Sequence, residues 1–248
     1  PGIAARSYVV KNIKDQTIIG QKNAQQPLPP ASTTKIMTAL TALENYQLHE
    51  VVSIPESQNQ VLGAKLELLP GDQITIEDLI KIVLIYSGND AAEALAKSIP
   101  GGWDNFIAKM NQHARLLKLE QTNYTNPSGL HDPLHLTSTN DLIKITEEAI
   151  QNPIFTNIVN QTQATISVKN RDYSQLINNR NLLLGKIPGV KGVKTGWTEE
   201  AGEALVTWVE RPEGKYLIAL LGSQDRFGDT EKLIAWLYHE PLPEDEIK

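Results

Sequence analysis

Strand-like runs stand at both ends of this chain, and helical patterns fill the stretch between them. SYVV and TIIG flank a polar turn at Lys14-Asp15-Gln16 and read as a hairpin over residues 6–23. At the other end, Gly192 to Thr195, Glu203 to Glu210 and Tyr216 to Gly222 read as three antiparallel strands, followed by a last helix over about 228–239. Strands at both ends with helices between them suggest one sheet built from the two chain termini. The pattern therefore predicts an α+β fold, with an antiparallel sheet formed from both chain termini and flanked by helices. A mostly helical region, about 32–150, is expected to be inserted in that sheet. One catalytic domain over 1–240 and a polar tail over 241–248 are expected.

Inside the inserted region, Ile36, Met37, Leu40 and Leu43 line one face of a helix over about 32–46. Thr75 is expected to cap a helix over 76–86, with Glu77 and Asp78 in its first turn. SGND interrupts that helix before AAEALAKSI resumes it. Further helices are expected over 103–118 and 138–151, the second capped by Thr137 or Ser138, with a loop rich in Asn, Pro and Gly over 121–137. The stretch 160–185 reads as short strands and a loop.

Composition narrows the function classes. With 40% hydrophobic and 21% charged residues, the chain reads as soluble and globular. A formal net charge of -6 argues against nucleic acid as the main partner. The absence of cysteine removes disulfides, thiolate zinc sites and a thiol nucleophile. The longest apolar run, Leu79 to Tyr86, is too short to span a membrane and contains Lys81. The chain starts at Pro1 without a signal-like segment, as a mature or trimmed form would.

Three short strings carry chemistry. In Ser32-Thr33-Thr34-Lys35, a hydroxyl stands three residues before an amine, at the start of a helix. A serine hydroxyl needs a neighbouring base to act as a nucleophile. Lysine serves only when burial, nearby cations or the helix dipole lower its pKa. Read alone, the string is better explained by a Ser32 helix cap and a solvated first-turn Lys35. Ser-x-Asn occurs at Ser57, Ser87 and Ser138, and the string alone selects none of them. Ser87-Gly88-Asn89 differs because it follows the most apolar helix, where unpaired polar groups are costly. Lys194-Thr195-Gly196 lies on a strand, where Gly196 leaves room for a ligand backbone and Lys194 and Thr195 suit a carboxylate. No helix follows it, which excludes a phosphate loop. His131 and His135 are four apart but flank Pro133 in a loop, so metal ligation is not expected.

In this order the strings resemble the serine penicillin-recognising enzymes. The stretches PASTTKIMTAL (30–40), LLPGDQITIEDLIKIVLIYSGNDAAEALA (68–96), NPSGL (126–130), NRNLLL (179–184) and GVKTGWTEEAG (192–202) are similar to the low-molecular-weight D-alanyl-D-alanine carboxypeptidases. The resemblance covers residues 5 to 240. It implies a β-lactamase/penicillin-binding-protein-like transpeptidase fold and removal of the terminal D-Ala from peptidoglycan stem pentapeptides through a Ser32 acyl-enzyme. By resemblance, Lys35 takes the serine proton, Ser87 relays a proton to the leaving group, and Asn89 orients Lys35 or the substrate. Lys194 and Thr195 bind the terminal carboxylate, with Gly196 beside them. The N–H groups of Ser32 and Trp197 form an oxyanion hole. Arg226, placed in the loop before the last helix, helps to hold the carboxylate, and Arg180 lies nearby.

The resemblance implies no cofactor and no metal. It makes β-lactams the expected inhibitors and the bacterial cell envelope, outside the cytoplasm, the expected location. Trp197 stands where His or Tyr is more frequent. The chain ends before the second, β-rich domain and the amphipathic anchor that many relatives carry. A D,D-endopeptidase would use the same site. A serine β-lactamase would need an extra glutamate; Glu120, Glu147 and Glu148 lie in the right interval but not in a Glu-x-x-Leu-Asn context. A non-catalytic wall-binding module ranks last, because every reacting side chain is present.

Overall fold

The computed structural model describes residues 1–56, 61–66 and 68–241; the Ser57-x-Asn59 string and tail residues 242–248 lie outside them. Strands β1 (Ser7–Asn12) and β2 (Ile18–Lys22) come from the N-terminal end, and β7 (Val190–Thr198), β8 (Gly202–Arg211) and β9 (Gly214–Ser223) from the C-terminal end. They form one five-stranded antiparallel sheet in the order β2-β1-β9-β8-β7. The two ends meet where β1 pairs with β9, with Val9 opposite Ala219.

The β9 sequence explains why the sheet needs cover on both faces. Leu217, Ala219 and Leu221 enter one core, whereas Ile218 and Leu220 enter another. Successive side chains point to opposite faces, so a run apolar at every position has two apolar faces. Helix α7 (Arg226–Leu237) packs over β8 and β9 and brings Leu233 and Ile234 to the second core. The inserted helices cover the other face, where α5 (Thr139–Ala149) packs against β1 and β9. Each fully buried Leu or Ile contributes roughly 1.5–3 kcal/mol relative to exposure, so the two cores supply most of the driving force.

Helix α1 (Lys35–Asn45) is buried on every side from Lys35 to Ala42, the mark of a central helix rather than a surface one. Helix α2 (Ile76–Lys81) begins with Thr75 accepting a bond from the Asp78 N–H and continues as a π-helical turn over Ile82–Tyr86. Helices α3 (Asn89–Ser98) and α4 (Gly102–Leu116) follow. Ser138 caps α5 by accepting a bond from the Asp141 N–H.

Helix α6 (Pro153–Val159) was not expected from the sequence, although Asn152 followed by Pro153 is a helix start and the Asn152 side chain caps it. Two small hairpins, β3–β4 (Val51–Ser53, Gln73–Thr75) and β5–β6 (Gln163–Val168, Tyr173–Asn178), extend the helical side. Arg171 clamps them together with a two-pronged bond to Asp72 at 2.6 and 2.8 Å. No helix among the described residues is long and apolar enough to cross a membrane.

Candidate active site

Pro30 ends an extended segment, and Ala31–Thr34 form a turn of 3-10 helix before α1 begins at Lys35. A 3-10 turn has three residues per turn, so positions i and i+3 lie directly above one another. This brings Lys35 Nζ to 2.9 Å from Ser32 Oγ. Ser32 caps no helix, and Lys35 is fully buried rather than solvated. The simple alternative, a capping serine and a surface lysine, is thereby removed.

Lys35 Nζ has two further neighbours, Asn89 Oδ1 at 2.7 Å and the Ser128 carbonyl oxygen at 2.6 Å. Both only accept hydrogen bonds. A neutral amine therefore donates its two hydrogens to them and turns its lone pair to Ser32 Oγ. Burial pushes the Lys35 pKa down from 10.5 to about 7; Arg180 acts in the same direction and Asp90 against it.

Ser87 and Asn89 owe their placement to the end of the π-helical turn. Ser87 takes a left-handed conformation at φ 69, an uncommon state for a residue with a side chain. Gly88 has no room for a side chain, since a Cβ would stand 2.6 Å from Ile82 Cγ2. Asn89 is held at its own amide, where Nδ2 donates to the Leu62 carbonyl at 2.7 Å, and at its backbone N–H, which donates to Ala64 at 2.6 Å. Asp90 accepts from the Leu66 N–H at 2.7 Å and fastens the same wall of the cleft.

Lys194 reaches from β7 to Ser87 Oγ at 2.8 Å and is 2% exposed. Burial first, and then the charges of Lys35, Arg180 and Arg226, push its pKa well below the ordinary lysine value. The two amines thus face the two serines in pairs, Lys35 with Ser32 and Lys194 with Ser87. Gly196 sits against the Ser32 turn. A Cβ there would stand 2.9 Å from the Ser32 backbone nitrogen, so the glycine lets the protein's own serine turn approach the strand. The Ser32 N–H lies in the first turn, where helical partners are missing and the group is available to a ligand.

Thr195, Gly196, Trp197 and Arg226 all line one cleft of about 450 Å³ together with Ser32, Ser87 and Asn89. Arg226 is the first residue of α7 rather than part of a preceding loop, and its Nη1 donates to the Gly196 carbonyl at 2.9 Å. Its Nε is buried without a partner among the described residues. Arg180 also lines the cleft and donates from Nε to the Tyr86 carbonyl at 2.6 Å. Arg180 and Arg226, with Lys194 beneath at Ser87, suit an anionic ligand. Glu199 is the one carboxylate among the described lining residues.

Side-chain patterns gave no role to the 126–137 loop, and its contribution is largely through the backbone. Asn126 Oδ1 accepts from the Ser128 and Gly129 N–H groups and shapes the turn that aims the Ser128 carbonyl at Lys35. Gly129 has φ +85, and a Cβ there would collide with the Ala31 carbonyl. His135 has both ring nitrogens engaged in hydrogen bonds. Its Nδ1 accepts from the Thr125 N–H at 3.0 Å, so the hydrogen sits on Nε2, which donates to Thr34 Oγ1 at 2.8 Å. Thr34 passes the bond to the Ala31 carbonyl at 2.8 Å, next to Ser32. Burial pushes the His135 pKa down to about 4. No cluster of metal-ligating residues occurs among the described residues.

The family model described as D-alanyl-D-alanine carboxypeptidase matches residues 1–223. A D-alanyl-D-alanine carboxypeptidase of Bacillus subtilis, DacF, is 29% identical over 244 residues, covering 95% of this chain and 62% of its own length. A D-alanyl-D-alanine endopeptidase of Pseudomonas aeruginosa is 31% identical over 242 residues, covering 95% of this chain and 77% of its own. The crystal structure of a D-alanyl-D-alanine carboxypeptidase from Mycobacterium tuberculosis superposes with a TM-score of 0.89 at 30% identity. It covers 98% of this chain and 94% of that one. The chain thus spans about three-fifths of the first relative and nearly all of the crystallised one.

Proposed function

Because the chain belongs to the D-alanyl-D-alanine carboxypeptidase family, we propose that it removes the terminal D-Ala of peptidoglycan stem pentapeptides through an acyl-enzyme on Ser32. The observation that carries this reading is the set of three oxygens around Lys35 Nζ. Two of them only accept hydrogen bonds, which leaves the lone pair for the Ser32 hydroxyl.

In the proposed sequence the substrate's terminal carboxylate sits against Thr195 and the positive groups Lys194 and Arg226. Lys35 takes the Ser32 proton as Oγ adds to the carbonyl carbon of the penultimate residue. The N–H groups of Ser32 and Trp197 hold the negative oxygen of the tetrahedral adduct. Collapse breaks the peptide C–N bond; Ser87, bonded to Lys194, gives its proton to the departing D-alanine nitrogen and takes up in its place the proton that Lys35 removed from Ser32, so that Lys35 is neutral again. Water then attacks the ester with Lys35 again as base, which releases the shortened peptide and restores the serine hydroxyl. Asn89 holds Lys35 in register throughout.

β-Lactams enter the same path but stop at the ester. Glu147 is engaged with Lys11 at 2.7 Å, and Glu199, at the end of the strand, is the only carboxylate lining the cleft among the described residues. A β-lactamase glutamate with its water is therefore not part of this reading. Cross-link cleavage by the same chemistry is the second reading, favoured by the likeness to a D,D-endopeptidase. The substrate implies action in the bacterial cell envelope, outside the cytoplasm.

The test is D-alanine release from a synthetic pentapeptide ending in D-Ala-D-Ala, with and without prior penicillin. The expected result is release that penicillin abolishes, with a stable adduct of one drug mass on the intact protein. Ser32→Ala is expected to lose both. Release unaffected by penicillin, or rapid drug turnover without an adduct, refutes the reading.

A further inference from the structure

Cations and a carboxylate stand at different places along the cleft. Arg180 and Arg226 line it and Lys194 is buried beside it at Ser87, whereas Glu199 is the only carboxylate lining it among the described residues. Glu199 is exposed, sits in the turn that follows β7, and has no hydrogen-bond or ion-pair partner among the described residues. Trp197, 62% exposed, lines the same cleft two positions before Glu199.

Strand β7 runs from Lys194 through Gly196, beside the Ser32 turn, to Thr198. On the reading above, the substrate's terminal carboxylate lies at Lys194 and Thr195 and its reacting carbonyl at Ser32. The residues before that carbonyl must then extend past Trp197. A residue of extended chain advances about 3.3 Å, so the residue preceding the D-Ala-D-Ala pair falls level with Trp197, and a side chain of lysine length spans the two further positions to Glu199.

From this juxtaposition we propose that Glu199, with Trp197 beside it, forms a subsite for a side chain with an aliphatic stem and a terminal ammonium, as in a diamino acid at the third position of the stem peptide. The stem lies on the apolar surface of Trp197, and the ammonium reaches the unpartnered carboxylate. The same arrangement aligns the substrate, since the cations repel an ammonium and Glu199 repels the terminal carboxylate. Glu199 is thus a specificity-determining residue for the proposed reaction and takes no part in bond making.

The test rests on that reaction and compares two pentapeptides ending in D-Ala-D-Ala, with lysine at the third position either free or Nε-acetylated. The quantity read is the ratio of their kcat/KM values for D-alanine release at low ionic strength. The expected wild-type ratio is about three- to fivefold in favour of the free amine, the range an exposed ion pair supplies. Glu199→Gln brings the ratio to about one, Glu199→Lys takes it below one, and 0.5 M salt collapses the wild-type preference. A wild-type ratio near one, or a preference unchanged in Glu199→Gln, overturns the subsite while leaving the carboxypeptidase reading intact. Release from neither peptide overturns both.

Discussion

In the proposed mechanism, the burial of Lys35 sets the pH at which Ser32 is acylated. An ordinary lysine with a pKa of 10.5 is neutral in only about 0.03% of molecules at pH 7. With a pKa of about 7, half of the Lys35 side chains are neutral there, a gain of about a thousandfold. Below the inflection the neutral fraction falls tenfold per pH unit, so acylation at pH 5 is expected to be about 50-fold slower than at pH 7. Between pH 5 and 9 the penicillin carboxylate stays ionised, so the acid limb reports the enzyme. An alkaline limb is expected where Lys194 loses its proton, below the ordinary lysine range because burial lowers its pKa as well. Two charges move the acid limb in opposite senses. Asp90→Asn removes the charge that raises the Lys35 pKa and shifts the limb to lower pH, whereas Arg180→Gln removes one that lowers it and shifts the limb upward. The assay is stopped-flow acylation by a chromogenic β-lactam, with intact mass confirming the adduct at each pH. A rate that climbs tenfold per unit without inflection through pH 9 would refute the argument, since it would mean an ordinary lysine.

Three further outcomes are expected. Gly196→Ala should lower Ser32 acylation by about two orders of magnitude with little loss of thermal stability, because the added methyl displaces the serine turn; an unchanged acylation rate argues against the close approach. His135 is buried neutral with its pKa below the unfolded value of 6.5, so the unfolded chain takes up the proton first as pH falls. Stability present above pH 6.5 should therefore be lost as pH falls toward 4, by about 3 kcal/mol in all, measured by urea unfolding. His135→Gln should lack that component, and an identical slope in the variant would count against it. Ser87→Ala should slow turnover of the peptide substrate more than acylation by penicillin, in which no amine departs; equal losses would contradict a proton relay to the leaving group.

Local periodicity made the architecture readable. The dense apolar runs at 204–209, broken only by Thr207, and at 216–221 mark strands, and the apolar stripe of 32–46 announces a helix. Thr75 and Ser138 mark their helix starts because capping depends on a side chain and a backbone two or three residues away. The Ser32–Lys35 spacing is legible for the same reason, since one turn decides it. Helix α6 was passed over because its seven residues are too few to establish a period, although its cap was in plain view.

Which Ser-x-Asn string belongs to the cleft, what Gly196 makes room for, and how Lys35 loses its charge were settled by residues far apart in sequence. Asn89 meets Lys35 across 54 positions, the Ser128 carbonyl across 93, and Lys194 meets Ser87 across 107. A backbone carbonyl such as that of Ser128 has no letter of its own, and a lysine's pKa depends on what surrounds it once packed. The sequence by itself determined most of the elements and the Ser32–Lys35 spacing, because those depend on neighbours along the chain. Only the tertiary structure decided the basicity of Lys35 and the charge layout of the cleft, because desolvation and Coulomb forces act through space.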